Sequence, residues 1–124
     1  LDKENKINEL YPEPIDFNQK INTQHMYLPH PGLIVRKEIF DIVGLFDIKY
    51  KSAADLDWLC RIVLEKININ YIKKTILFFR ADGQSKSIIS YKESRNIAIK
   101  YGKSILLSNY IYLKQIVKYY IGLD

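Results

Sequence analysis

One cysteine, one methionine and one tryptophan are all that the 124 residues hold of those three types. The lone Cys60 lies inside an apolar helical pattern. No disulfide framework can form around it, and a reducing compartment, the cytoplasm, is the natural setting. No stretch reaches the roughly 18 apolar residues of a membrane span. The opening Leu1-Asp2-Lys3-Glu4-Asn5-Lys6 has neither the apolar run nor the small-residue cleavage site of a secretory signal. It also lacks an initiator methionine, from which we expect a piece of a longer product. Glycine and proline are few, five and four, and no linker, repeat or low-complexity tract divides the chain, which is therefore read as one unit.

What is present is enough apolar residue, 48%, to bury one core, and an uneven charge. Residues 1–60 carry seven Lys/Arg against ten Asp/Glu, whereas residues 61–124 carry twelve against four. A basic C-terminal half suits contact with phosphates or anionic headgroups, and it is equally what a solvated helical face looks like. The basic residues do not cluster with a nucleic-acid-binding motif, so nucleic acid is not an expected partner.

Pro12, Pro14, Pro29 and Pro31 keep residues 12–31 extended or looped, with a short strand possible over Lys6 to Tyr11. Gly32-Leu33-Ile34-Val35-Arg36 reads as a buried strand, and Lys37 to Val43 as a short helix stopped by Gly44. A second helix is predicted from about Ser52 to Lys66, with Leu56, Leu59, Cys60, Val63 and Ile67 on one buried stripe. Ile69 to Ile72 and Thr75 to Phe79 read as strands meeting at Lys73-Lys74. Two further helices follow, about Ile89 to Lys100 and Ile105 to Ile121, broken near Gly102.

Two carboxylates open the second helix, in Ser52-Ala53-Ala54-Asp55-Leu56-Asp57-Trp58-Leu59-Cys60-Arg61. At 100° per residue, with Leu56 facing the core, Asp55 and Asp57 fall on opposite flanks and do not form a dyad. Ser52 and Asp55 have capping-box spacing, and a carboxylate in a first turn is favoured by the helix dipole. The same dipole suits a carboxylate that serves as a general base.

The ordered segments His30-Pro31-Gly32-Leu33-Ile34-Val35-Arg36, Val43-Gly44-Leu45-Phe46-Asp47, Ala54-Asp55-Leu56-Asp57-Trp58-Leu59-Cys60-Arg61, Leu77-Phe78-Phe79-Arg80 and Gly83-Gln84-Ser85 together resemble the C-terminal, acceptor-side half of the family 2 glycosyltransferases, over roughly residues 1–87. The resemblance implies an α/β chain, the C-terminal part of a GT-A fold with a mixed sheet and flanking helices, and residues 88–124 as a helical extension. It implies that Asp55 takes the proton from an acceptor hydroxyl during inverting transfer of a sugar from a nucleotide-sugar to a glycan or lipid-linked acceptor, as in bacterial cell-surface polysaccharide synthesis. His30, Asp57, Trp58, Arg61, Arg80, Gly83 and Ser85 would line the substrates, the two arginines offsetting diphosphate charge or making structural ion pairs. Ala54 and Asp82 depart from the family pattern, which commonly has an acidic residue and a glycine there. No Asp-x-Asp ends a strand, so no metal ligands or cofactor are assigned within the chain. A divalent Mg or Mn is expected for the complete enzyme, and the isolated chain is expected to transfer sugar poorly.

Leu106, Tyr110, Leu113, Val117 and Tyr120 form an apolar stripe beside Lys103, Lys114 and Lys118. Such a helix can lie in a membrane interface at the inner face, or pack against the domain or a second copy as a homodimer. The alternative to an enzyme is a non-catalytic glycosyltransferase-like domain that binds a partner or membrane through this basic end.

Overall fold

A computed structural model describes residues 30–70, 72, 74 and 87–123. A single turn of 3-10 helix at His30–Gly32 leads through irregular backbone into α1 (Glu38–Val43), α2 (Ala54–Leu64), α3 (Ile88–Lys100) and α4 (Ile105–Ile121). The described residues contain no β-strand. This corrects the expected α/β class: the described residues form no part of the mixed sheet of a GT-A fold and are helical. Of Gly32 to Arg36, read as a buried strand, Gly32 closes the 3-10 turn and 33–36 run as irregular backbone, and of Ile69 to Ile72 the described residues Ile69, Asn70 and Ile72 are likewise irregular. A strand exists only when a neighbour accepts its ladder of hydrogen bonds. The apolar run 33–36 instead sends Val35 against Val43, Trp58 and Ile62. The strands expected over Lys6 to Tyr11 and Thr75 to Phe79 lie outside the described residues.

The four helices sit where their periodicity placed them, and three of them end by the same chemistry. After α3, Gly102 turns left-handed at φ 88°, its N–H reaching the Ile99 carbonyl and the Lys103 N–H the Ala98 carbonyl. This paired closure satisfies carbonyls the helix leaves open. Gly122 repeats it after α4. After α2 the left-handed position is Lys66, at φ 53°, with Lys66 and Ile67 donating to Val63 and Ile62.

Helix α2 is the hub. On one side Leu56 and Cys60 pack with Ala53 and with Ile97 of α3, flanked by Tyr50 and Tyr101. On the other, Trp58 and Ile62 pack with Val43 of α1, with Val35, Ile39, Phe40, Ile67 and Ile69 around them. The predicted single stripe is thus too narrow: all of residues 56–60 are buried, because α2 has neighbours on two faces. Helix α3 packs on α2 and α4 packs on α3, with Ser108 the buried residue of α4.

Candidate functional site

The first turn of α2 is built by side chains reaching in from elsewhere. Its N-cap position is Ala53, which has no side chain to cap with. The capping box expected between Ser52 and Asp55 is not formed. Instead Glu93 of α3 places its carboxylate over the preceding turn and accepts from the N–H groups of Lys51 at 2.8 Å, Ser52 at 2.9 Å and Ala53 at 2.9 Å. Partial burial by itself would raise the Glu93 pKa. The three N–H donors and the Lys51 charge outweigh it and hold the carboxyl below the usual glutamate range.

The two aspartates of this turn meet opposite environments. Asp57 is 1% exposed. One of its oxygens accepts from Lys100 Nζ at 2.7 Å and from the Tyr101 hydroxyl at 3.1 Å, the other from Arg61 Nε at 3.2 Å. Burial alone would lower the Lys100 pKa, but its hydrogen bond to the Asp57 carboxylate, its hydrogen bond with Tyr101 and the Asp57 charge raise it. Next to this carboxylate the buried Cys60 thiol is pushed up to about 12, by burial first and by the Asp57 charge second, which leaves it an inert core residue. Asp55 is half-buried, and its one hydrogen bond among the described residues is from the N–H of Leu56 at 2.8 Å. No described cation pairs with it.

Arg61 and Trp58 hold the end of α1 to α2. Arg61 donates through Nη1 to the Val43 carbonyl and through Nη2 to the Leu45 carbonyl at 2.8 Å, while Trp58 Nε1 donates to the Gly44 carbonyl at 2.8 Å. Three successive carbonyls that α1 leaves open are thereby satisfied by one face of α2. Gly44 is required there: its φ of 77° and ψ of 176° are open to glycine alone, and a Cβ would meet Arg61 Nη1 at 3.3 Å. The turn carries Phe46 onto Trp58, ring centroids 5.3 Å apart, and His30 onto Phe46 at 5.9 Å. Phe40 stacks on the Trp58 ring at 4.8 Å.

Of the residues read as substrate-lining, Asp57, Trp58 and Arg61 are therefore framework: each has its polar atoms engaged inside the protein. Asp55 and the exposed His30 remain at the surface, with Phe46 and Trp58 linking the His30 ring to the α2 first turn. Arg80, Gly83 and Ser85 lie outside the described residues. Glu93, Lys100 and Tyr101 were missed by sequence reasoning, because no local pattern ties them to a turn some forty residues earlier. Among the described residues no group of three or more His, Cys, Asp or Glu side chains is placed to hold a metal ion. No helix among the described residues is long and apolar enough to cross a membrane. No protein-family model, curated protein or solved structure matches the chain.

Proposed function

We propose that this chain contributes the acceptor-activating carboxylate of an inverting sugar transfer from a nucleotide-sugar to a hydroxyl of a glycan or lipid-linked acceptor, with Asp55 as general base. The observation that supports it is the division of labour at the start of α2. Asp57 is buried with three donors on it, whereas Asp55, two residues earlier, keeps a half-exposed carboxylate in the first helical turn. Glu93 ties the residues leading into α2 to α3, and Arg61 and Trp58 tie α2 to the end of α1, so the carboxylate is presented from a fixed support, as catalysis by position needs.

In the reaction, Asp55 accepts the proton of the acceptor hydroxyl as that oxygen bonds to the anomeric carbon. The bond from the anomeric carbon to the diphosphate oxygen breaks on the opposite side, and the nucleoside diphosphate leaves with the electron pair. His30, edge-on to Phe46, is the described residue assigned to contact with a sugar ring.

The test is Asp55→Asn in the protein that carries this chain. Nucleoside-diphosphate release from a panel of nucleotide-sugars, with a lipid or glycan extract as acceptor, is expected to fall on the order of 10²- to 10⁴-fold. Donor binding by calorimetry and far-ultraviolet circular dichroism should stay unchanged. Transfer at the wild-type rate by the Asn variant would remove Asp55 from the mechanism.

A further inference from the structure

Helix α4 touches the rest of the described protein along one side only. Around its axis the exposed arc runs through Tyr120, Leu113, Leu106, Val117, Tyr110 and Ile121, from 57% exposed at Val117 to 82% at Leu106. The stripe from Leu106 to Tyr120 is about 21 Å long at 1.5 Å per residue. Lys114 and Lys118 border it on the side toward Leu107, both exposed. Helix α4 contains no acidic residue, and residues 88–123 hold six Lys/Arg against one Asp/Glu. That single acid, Glu93, is turned inward onto the α2 turn.

We propose that this face of α4 lies in the interface of an anionic lipid bilayer, parallel to its surface, with the apolar arc among the upper acyl chains and Lys114 and Lys118 at the phosphates. Charge decides between the occupants. Lys114 lies near the middle of the stripe, so antiparallel pairing of two copies through it brings like charges together, with no α4 carboxylate to neutralise them. An anionic headgroup layer turns the same lysines into attractions, and their stems cover the flank of the stripe while the ammonium groups reach the surface. Tyr110 and Tyr120 suit that depth, apolar ring inward and hydroxyl outward. The helix is too short and too flanked by charge to span. The proposal is independent of the sugar-transfer reading.

The experiment is cosedimentation of the full chain with vesicles of phosphatidylcholine alone and with added phosphatidylglycerol. Binding is expected only with the anionic lipid and should weaken with salt. Lys114→Gln with Lys118→Gln should weaken it about thirtyfold, and Leu106→Asp with Leu113→Asp on the order of a hundredfold or more. Because the described residues leave the face exposed, the aspartate pair should leave the thermal midpoint within a degree or two, a shift of the size expected for surface changes. No binding to anionic vesicles, or equal binding to neutral ones, overturns the proposal. So does a dimer that the aspartate pair splits, which assigns the face to a second copy. A large loss of stability in that variant also overturns it, since the face would then be covered by another part of this chain.

Discussion

At the scale of the residue, the instructive contrast is between two aspartates separated by Leu56. A buried carboxylate survives only if its lone pairs are taken up, and Asp57 has Arg61, Lys100 and Tyr101 for that purpose. Removing it leaves cationic partners facing a dry pocket. The Lys100 side chain is 42% exposed and can turn to water, which puts the cost at the low end for a broken buried pair. Asp57→Ala is expected to cost about 3 kcal/mol in urea unfolding, while Asp55→Ala should change stability by less than about 1 kcal/mol. Equal costs would mean that Asp57 is not the structural member of the two. The helical spacing already separates these residues onto different flanks. It does not say which flank is buried, since that depends on where α3 lies.

At the scale of the element, α2 shows how a helix with a poor local start is completed from a distance. Ala53 offers no cap, and the Ser52 and Asp55 spacing does not act as one. Glu93 serves through three backbone donors. Its carboxyl is held below the ordinary value of about 4.3. The stability it contributes is therefore fully present above that unfolded-state value and is lost as pH falls through the lower folded-state value. Glu93→Gln should lower stability by about 1–2 kcal/mol at pH 7, with the gap to wild type closing as the pH is taken below about 4. A gap that stays constant from pH 7 to pH 3 would show that the charge is not what caps the turn. The glycine stops at Gly44 and Gly102 were legible because each follows an apolar-periodic run. The Lys66 stop was not, as nothing in a lysine signals a left-handed turn.

At the scale of the molecule, α2 carries two sets of packing contacts, and the single tryptophan belongs to the α1 side of it. If the helices form one cooperative unit, a cavity on the α3 side must be felt at Trp58. Ile97 is 0% exposed, and Ile97→Ala is expected to cost about 2–4 kcal/mol. The urea midpoint should drop equally by Trp58 fluorescence and by circular dichroism. A tryptophan midpoint that stays put would divide the molecule at α2.

Periodicity and glycine placement, both local, determined the four helices and which residues of α4 share one apolar stripe, because a helix makes its own hydrogen bonds and needs no partner to exist; that this stripe faces outward was decided only by the packing of α4 on α3. The sugar-transfer reading of Asp55 rests instead on the resemblance of the ordered segments to family 2 glycosyltransferases. The sheet was misjudged because a strand's hydrogen bonds belong to its neighbour: short apolar runs such as 33–36 read alike whether they pair or pack under a helix. Only the tertiary structure decided that Glu93 caps α2, that Lys100 and Tyr101 neutralise Asp57, and that Trp58 and Arg61 bind the carbonyls ending α1. Each of those bonds joins residues well separated in sequence, and it forms only once the helices have met.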